Sequence, residues 1–397
     1  MTIVFATMMS APQERGRIFR GGPKKIASGV LLLLLAACQS LVPKGGQIPA
    51  GAPPEQIIVP ADGRHQVALL LPITGPDGDV GQSIANAAKL AMEATNSEVK
   101  INLKIYDTAP GAAAAANQAI GEGNKLVLGP LRSDDVISVA DIARTKNVPI
   151  ISFSNDVGVA GRNAYLLGHL PSQSVDRIVR YSKNAGSTRF AAIVGNNVYG
   201  QRASANFTKS VLNAGGILVS IQSADASQAS VDAAIRKLKA AGPIDAILIG
   251  STGNAARIIA PLIRRNGIKA RILGTELWNI DGEMANDTNL RGAWFASVSD
   301  NYYRQYAAQY RTKFGKAPLR LSSLGYDAIL LTSRVTQNWR LGTTFPITNL
   351  IDPGGFIGID GAFRFSGNGQ SDRMLEIREI QKGSVAVIET APTVFAK

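Results

Sequence analysis

The chain has 397 residues, 45% of them hydrophobic and 18% charged, with a formal charge of +13 from 42 basic and 29 acidic residues. Such a composition buries a large core, which excludes chain-wide disorder and collagen-like repetition. One cysteine and two histidines, His65 and His169, fit no zinc or redox spacing, and they leave hydrolysis by a histidine base with few of its parts.

Arg15, Arg17, Arg20, Lys24 and Lys25 precede an apolar run from Ile26 to Ala37. A basic segment ahead of about 12 apolar residues reads as a secretory signal, because a spanning helix needs about 20. The run closes on Leu35-Ala-Ala-Cys38. Small residues before a lone cysteine resemble the bacterial lipobox, which implies a signal peptide over 1–37 and lipidation of Cys38. The plainer alternative is a chance cysteine at an ordinary cleavage site. Gln39 after the cysteine resembles outer-membrane sorting in proteobacteria, so the expected location is the periplasm, held to the outer membrane by lipid. Cleavage there removes five basic residues and one acidic residue and leaves a charge of +9. That charge suits anionic headgroups or carboxylate-rich polymer. With only 6% aromatic residues, nucleic acid is excluded as a partner. Residues 38–65, rich in proline and glycine, read as a semi-extended tether.

From Gln66 the chain alternates. The unbroken apolar run Gln66–Pro72 predicts a strand buried on both faces, and Gln82–Asn96 has helical spacing. There follow a strand at Ile101–Tyr106, an Ala-rich helix at Ala112–Ile120, a strand at Leu126–Leu128, a helix at Asp134–Lys146 and a strand at Val148–Phe153. The pattern restarts with strands at Phe190–Val194, Ile217–Ile221, Ile244–Ile249 and Arg271–Leu273. Helices at Gln201–Asn213, Val231–Ala241 and Ala255–Asn266 separate them. Two amphipathic helices, Tyr302–Phe314 and Leu324–Trp339, precede strand-like pieces at Ala362–Phe365, Met374–Gln381 and Val385–Ile388. Two βα series predict an α/β protein of two lobes, each a parallel sheet flanked by helices, with a cleft between and a hinge of several crossings.

Several stretches carry a specific resemblance: Ala68-Leu-Leu-Leu-Pro-Ile-Thr-Gly-Pro76, Tyr106-Asp-Thr108, Leu128-Gly-Pro-Leu-Arg-Ser133, Val148-Pro-Ile-Ile-Ser152, Tyr199-Gly200, Phe314-Gly315, Tyr326-Asp-Ala328 and Phe363-Arg-Phe-Ser-Gly-Asn-Gly369. In this order they resemble type I periplasmic binding proteins of the leucine/isoleucine/valine-binding kind, over roughly residues 66–391. The resemblance implies a two-lobed type I fold. Lobe 1 is expected at about 66–169 plus 300–345, and lobe 2 at about 170–299 plus 346–391. Ser152-Phe-Ser-Asn-Asp156, Tyr165-Leu-Leu-Gly-His-Leu-Pro171, Gly274-Thr-Glu-Leu-Trp278 and Gly361-Ala-Phe-Arg-Phe365 are similar to lipoproteins grouped with penicillin-binding protein activators. That group is implicated in stimulating peptidoglycan synthases by protein contact. Its better understood members carry a helical-repeat domain where this chain has its tether.

Ligands of open α/β sheets meet the carboxyl ends of the strands. Ser133, after the third strand, suits a carboxylate together with the amides of the following helix; the alternative is a simple N-cap. The resemblance gives Ser152 and Ser154 a role at a bound amino acid's carboxylate, against that of strand ends satisfied by local backbone. It makes Tyr199 a ring over the ligand, or else a core tyrosine. It sets Glu276 against a ligand ammonium, or else as a solvated loop acid. The family's second acid falls at about Leu170, and Ser251-Thr252 stand where amino-acid binders tend to place an aromatic ring. There is no Gly-x-Ser-x-Gly, P-loop or His-Glu-x-x-His, so no enzyme, metal or cofactor is expected, and His169 reads as a structural residue. Two functions remain open. One is a lipoprotein activator partnered by a peptidoglycan synthase. The other is an importer's solute receptor, partnered by a permease, with an amino acid or short peptide as cargo.

Overall fold

The computed structural model describes residues 59–395, apart from 162, 226 and 281. The expected signal peptide, Cys38 and nearly all of the tether lie outside the described residues. Lobe 1 begins with β1 (His65–Leu71), α1 (Gly78–Ala94), β2 (Ile101–Asp107), α2 (Ala112–Gly121), β3 (Leu126–Leu128), α3 (Ser133–Arg144), β4 (Ile150–Ser152) and β5 (Ala164–Leu166). These strands form one parallel sheet in the order β2-β1-β3-β4-β5. The unbroken apolar run of β1 has a direct physical reason. Val67, Leu69 and Leu71 join the core under α1, while Ala68 and Leu70 pack beneath α2 and α3. Side chains alternate between faces, so a strand covered on both needs apolar residues throughout.

Lobe 2 repeats the plan with α4 (Pro171–Asn184), β6 (Arg189–Gly195), α5 (Val198–Asn213), β7 (Ile217–Ala224), α6 (Gln228–Ala240), β8 (Ala246–Gly250), α7 (Gly253–Arg265), β9 (Arg271–Gly274) and β10 (Trp294–Ser297). The parallel order is β7-β6-β8-β9-β10, and β14 (Glu376–Gln381) and β15 (Ser384–Glu389) extend it antiparallel. α4 and β10 are additions to the elements read from sequence. The signal for α4 is present, since Pro171 occupies the first turn and Val175, Ile178 and Val179 are buried at helical spacing.

The chain then returns to lobe 1. α8 (Asn301–Phe314) sets Tyr306 and Tyr310 against Ala87 and Leu90 of α1, and α9 (Ser323–Thr336) packs along α1. The expected lobe division needs one correction. β11 (Phe356–Gly358), β12 (Gly361–Phe365) and β13 (Ser371–Arg373) form a small antiparallel sheet. Its Phe356, Phe363 and Phe365 pack into the lobe 1 core beside Tyr165 and Phe345. Only β14 and β15, from the segment 346–391, join the lobe 2 sheet. Three buried aromatic rings on alternating or paired positions carry this, because they share one core cluster with Val67, Leu69 and Leu71 of β1.

Three segments therefore cross between lobes: 167–170, 298–300 and 374–375. His169 and Asp300 stand on the first two, and Arg373 directly precedes the third. The fully buried Asp360 accepts from Arg320 Nη1 at 2.6 Å and Ser323 Oγ at 2.7 Å, and it lies 2.9 Å from His169 Nε2. Arg320 Nη2 lies 3.5 Å from Asp300, which also receives Arg378 at 2.6 Å. Arg373 donates to the Leu167 carbonyl at 2.7 Å. One buried polar network thus ties all three crossings together.

Candidate functional site

A cavity of about 120 Å³ lies between the carboxyl ends of the two parallel sheets, where open α/β sheets place their ligands. Lobe 1 contributes Leu131 after β3, Phe153 and Asn155 after β4, and Arg320 and Leu321 ahead of α9. Lobe 2 contributes Glu276, Leu277 and Asn279 after β9, and Val298 after β10; His169 closes one edge. The walls are apolar with a few convergent polar groups, the usual make-up of a small-molecule site.

Glu276 is 6% exposed, not a solvated loop acid. Its Oε1 accepts from the Tyr199 hydroxyl at 2.9 Å and its Oε2 accepts from Ser174 Oγ. Burial pushes its carboxyl above the usual range, and these two hydrogen bonds only partly oppose that. Burial, reinforced by Glu276, likewise raises the Tyr199 hydroxyl well above its ordinary value. Tyr199 therefore acts on the site by holding the acid; its hydroxyl also lies 2.8 Å from Thr275 Oγ1.

Ser152 and Ser154 are buried but turned from the cavity. Ser152 Oγ donates to the Pro130 carbonyl at 2.9 Å and accepts the Ser154 amide at 3.0 Å, while Ser154 Oγ accepts the Asp156 amide at 3.2 Å. The local-backbone alternative describes both. The alternate positions, Phe153 and Asn155, face the cavity instead. Period-two alternation in the extended stretch after β4 is the signal that separates the pairs. Ser133 is the first residue of α3, with Arg132 in the cap position, and Leu131 rather than Ser133 lines the cavity. Leu170 is 2% exposed and places no second acid here. The Ser251 carbonyl accepts Trp278 Nε1 at 3.1 Å, and Thr252 caps α7 through the Ala255 amide.

Arg320 is a cavity-lining residue that the sequence did not single out. It is 8% exposed, its guanidinium lies 3.9 Å over the Tyr303 ring, and Nη1 is taken by Asp360 and Ser323. Nε and Nη2 have no hydrogen-bond partner. A buried donor left so costs about 1–3 kcal/mol. His169 is held below its usual value by burial, against the pull of Asp360, with Arg373 and Arg320 adding to the depression. Its ring is accordingly neutral at neutral pH. Among the described residues no group of side chains is arranged to hold a metal ion, and no helix is long and apolar enough to cross a membrane.

The fold and this cleft define a class of two-lobed solute-binding proteins. A family model described as periplasmic binding protein matches residues 65–344, and the chain belongs to that family, one of binding proteins rather than enzymes. A Leu/Ile/Val-binding protein homolog of Brucella melitensis is 26% identical over 254 residues, which cover 59% of this chain and 67% of that protein. Among solved structures, a putative branched-chain amino acid ABC transporter protein of Rhodospirillum rubrum aligns with a TM-score of 0.73 at 17% identity, covering 82% of this chain and 100% of the other. A solute binding protein of Rhodopseudomonas palustris, in complex with 3,4-dihydroxy benzoic acid, aligns with a TM-score of 0.66 at 18% identity, covering 83% and 97%. These likenesses establish the two-lobed fold.

Proposed function

We propose that the chain is the solute-binding component of an importer and holds a small organic molecule between its lobes. The observation that carries this reading is the cavity itself, with a partly unpaired Arg320 on the lobe 1 wall and the buried Glu276 on the lobe 2 wall. The relatives support it, since their names describe Leu/Ile/Val binding and a phenolic acid complex. A thermal-shift screen of amino acids, short peptides and organic acids tests it. Free ligand at about 100 times its dissociation constant stabilises by about 2.7 kcal/mol. No shift from any solute at millimolar concentration would remove the reading.

A second reading, an activator of peptidoglycan synthases, is favoured by the Gly274–Trp278 and Gly361–Phe365 stretches. Pull-down from membranes separates the two: recovery of a permease supports the importer, and recovery of a synthase without one supports the activator. The anchor belongs to both readings. If Cys38 is acylated, the protein fractionates with membranes and Cys38→Ala releases it or blocks its maturation. Unchanged fractionation of the variant would end the lipoprotein assignment.

A further inference from the structure

We infer that the Nε–Nη2 edge of Arg320 is the polar anchor of the cavity and takes the carboxylate of a small apolar acid that carries no α-ammonium group. The inference rests on the solute-binding reading and names the class of solute.

The anchor follows from how the guanidinium is used. Its five N–H groups form a planar fork, and the Nε–Nη2 edge is one of the two faces that meet a carboxylate through parallel hydrogen bonds. Nη1 is committed to Asp360 and Ser323, whereas Nε and Nη2 are buried without a hydrogen-bond partner on a residue that lines the cavity. Two acids stand near this fork. Asp360 sits on the Nη1 side and is shared with Ser323 and His169. Asp300 Oδ1 approaches Nη2 to 3.5 Å, while its Oδ2 accepts from Arg378 Nη1 at 2.6 Å. Neither acid hydrogen-bonds Nε or Nη2, which stay buried without such a partner.

The missing ammonium site follows from the opposite wall. Glu276 is the one acid among the residues lining the cavity, and each of its oxygens already accepts a hydroxyl from its own lobe. No cation is paired with it, and its buried setting favours the neutral acid, a poor counter-ion for an ammonium. The position from which a second acid would help holds Leu170, and the remaining walls, Leu131, Phe153, Leu277, Val298 and Leu321, suit a hydrocarbon body.

Three matched probes on one carbon skeleton separate the elements: isocaproate, isocaproamide and L-leucine, titrated calorimetrically into the protein. Isocaproate is expected to bind about tenfold or more tighter than isocaproamide, the worth of one charge-assisted hydrogen bond, and tighter than L-leucine. Arg320→Lys, which keeps the charge beside Asp360 but loses the fork, is expected to cost isocaproate about tenfold while circular dichroism stays unchanged. The comparison among probes on the unaltered protein decides the matter even if that variant misfolds. Equal or tighter binding of L-leucine or isocaproamide overturns the carboxylate anchor and leaves the solute-binding reading standing. Failure of all three probes at millimolar concentration overturns the anchor, and only silence across the wider solute screen overturns the solute-binding reading with it.

Discussion

The Tyr199 hydroxyl reaches from the first turn of α5 to within 2.9 Å of Glu276 Oε1. It holds this acid in a setting where burial favours the protonated form. The folded value is raised above that of the unfolded chain, so the unfolded state loses its proton first as pH rises. Stability from this group is therefore fully present below about 4.5, the ordinary glutamate value, and is lost as pH climbs toward the folded value. Glu276→Gln abolishes the titration. Melting temperatures of the two proteins should draw together at low pH, and the variant should gain relative to the parent as pH increases from 4 to 7. A difference independent of pH would show that burial does not raise the acid's value in the fold.

His169 predicts the opposite slope. Its folded value is lowered from 6.5 by burial, so the unfolded chain takes up a proton first as pH falls. The parent loses stability below about 6.5, down to the folded value. His169→Gln keeps a donor toward Asp360 and does not titrate. Denaturation midpoints measured between pH 7.5 and 5.5 should fall more for the parent than for the variant. Parallel curves would mean that the ring titrates in the fold as it does in the unfolded chain, and a parent that gains on the variant at low pH would mean that Asp360 holds the ring protonated.

Asp360 is the shared acceptor of the network that ties the crossings. Asp360→Asn keeps the shape but removes the charge facing the buried Arg320, leaving only Asp300 at 3.5 Å. An uncompensated buried charge costs about 3 kcal/mol or more. Urea unfolding should register that loss, and a change under about 1 kcal/mol would mean that the network does not hold the hinge.

The sheets were legible because hydrophobic period is a local property. The runs at β1 and β6 are continuous, and the α1, α7 and α9 faces repeat at helical spacing. What escaped was nonlocal. The side taken by β11–β13 depends on where Phe356, Phe363 and Phe365 find a core, and no pattern within that segment specifies it. The site divides the same way. Glu276 and Tyr199 were singled out through the resemblance carried by Gly274–Trp278 and Tyr199-Gly200, whereas their mutual hydrogen bond depends on the packing of α5 against the end of β9. Arg320 sits far along the chain in a short helical turn ahead of α9, and its meaning comes from Asp360 and from the cavity it borders. Ser152 and Ser154 were chosen for their chemistry, but the alternation of the strand end turns Phe153 and Asn155 inward instead.

The Tyr199-Gly200 pair carries a last prediction, because the glycine sets where the tyrosine stands. A Cβ added at Gly200 would fall 1.8 Å from the Gly195 carbonyl oxygen and 2.7 Å from its carbon. Both are backbone atoms at the end of β6 and cannot rotate away. The approach is fixed from the other side too, since Asn197 Oδ1 accepts the Gly200 amide at 2.8 Å as it caps α5. Gly200→Ala must push α5 off the end of β6, which costs about 3 kcal/mol as overpacking, and it carries Tyr199 away from Glu276. Gly121 gives the control. It ends α2 with no atom within 4 Å of an added Cβ, and Ala there should stabilise by about 0.5–1 kcal/mol through helix propensity. Urea unfolding of both variants should therefore shift in opposite directions, with only Gly200→Ala also weakening solute binding. If Gly200→Ala unfolds within about 0.5 kcal/mol of the parent, the contact between α5 and β6 is not tight, and Tyr199 owes its position to something other than the residue after it.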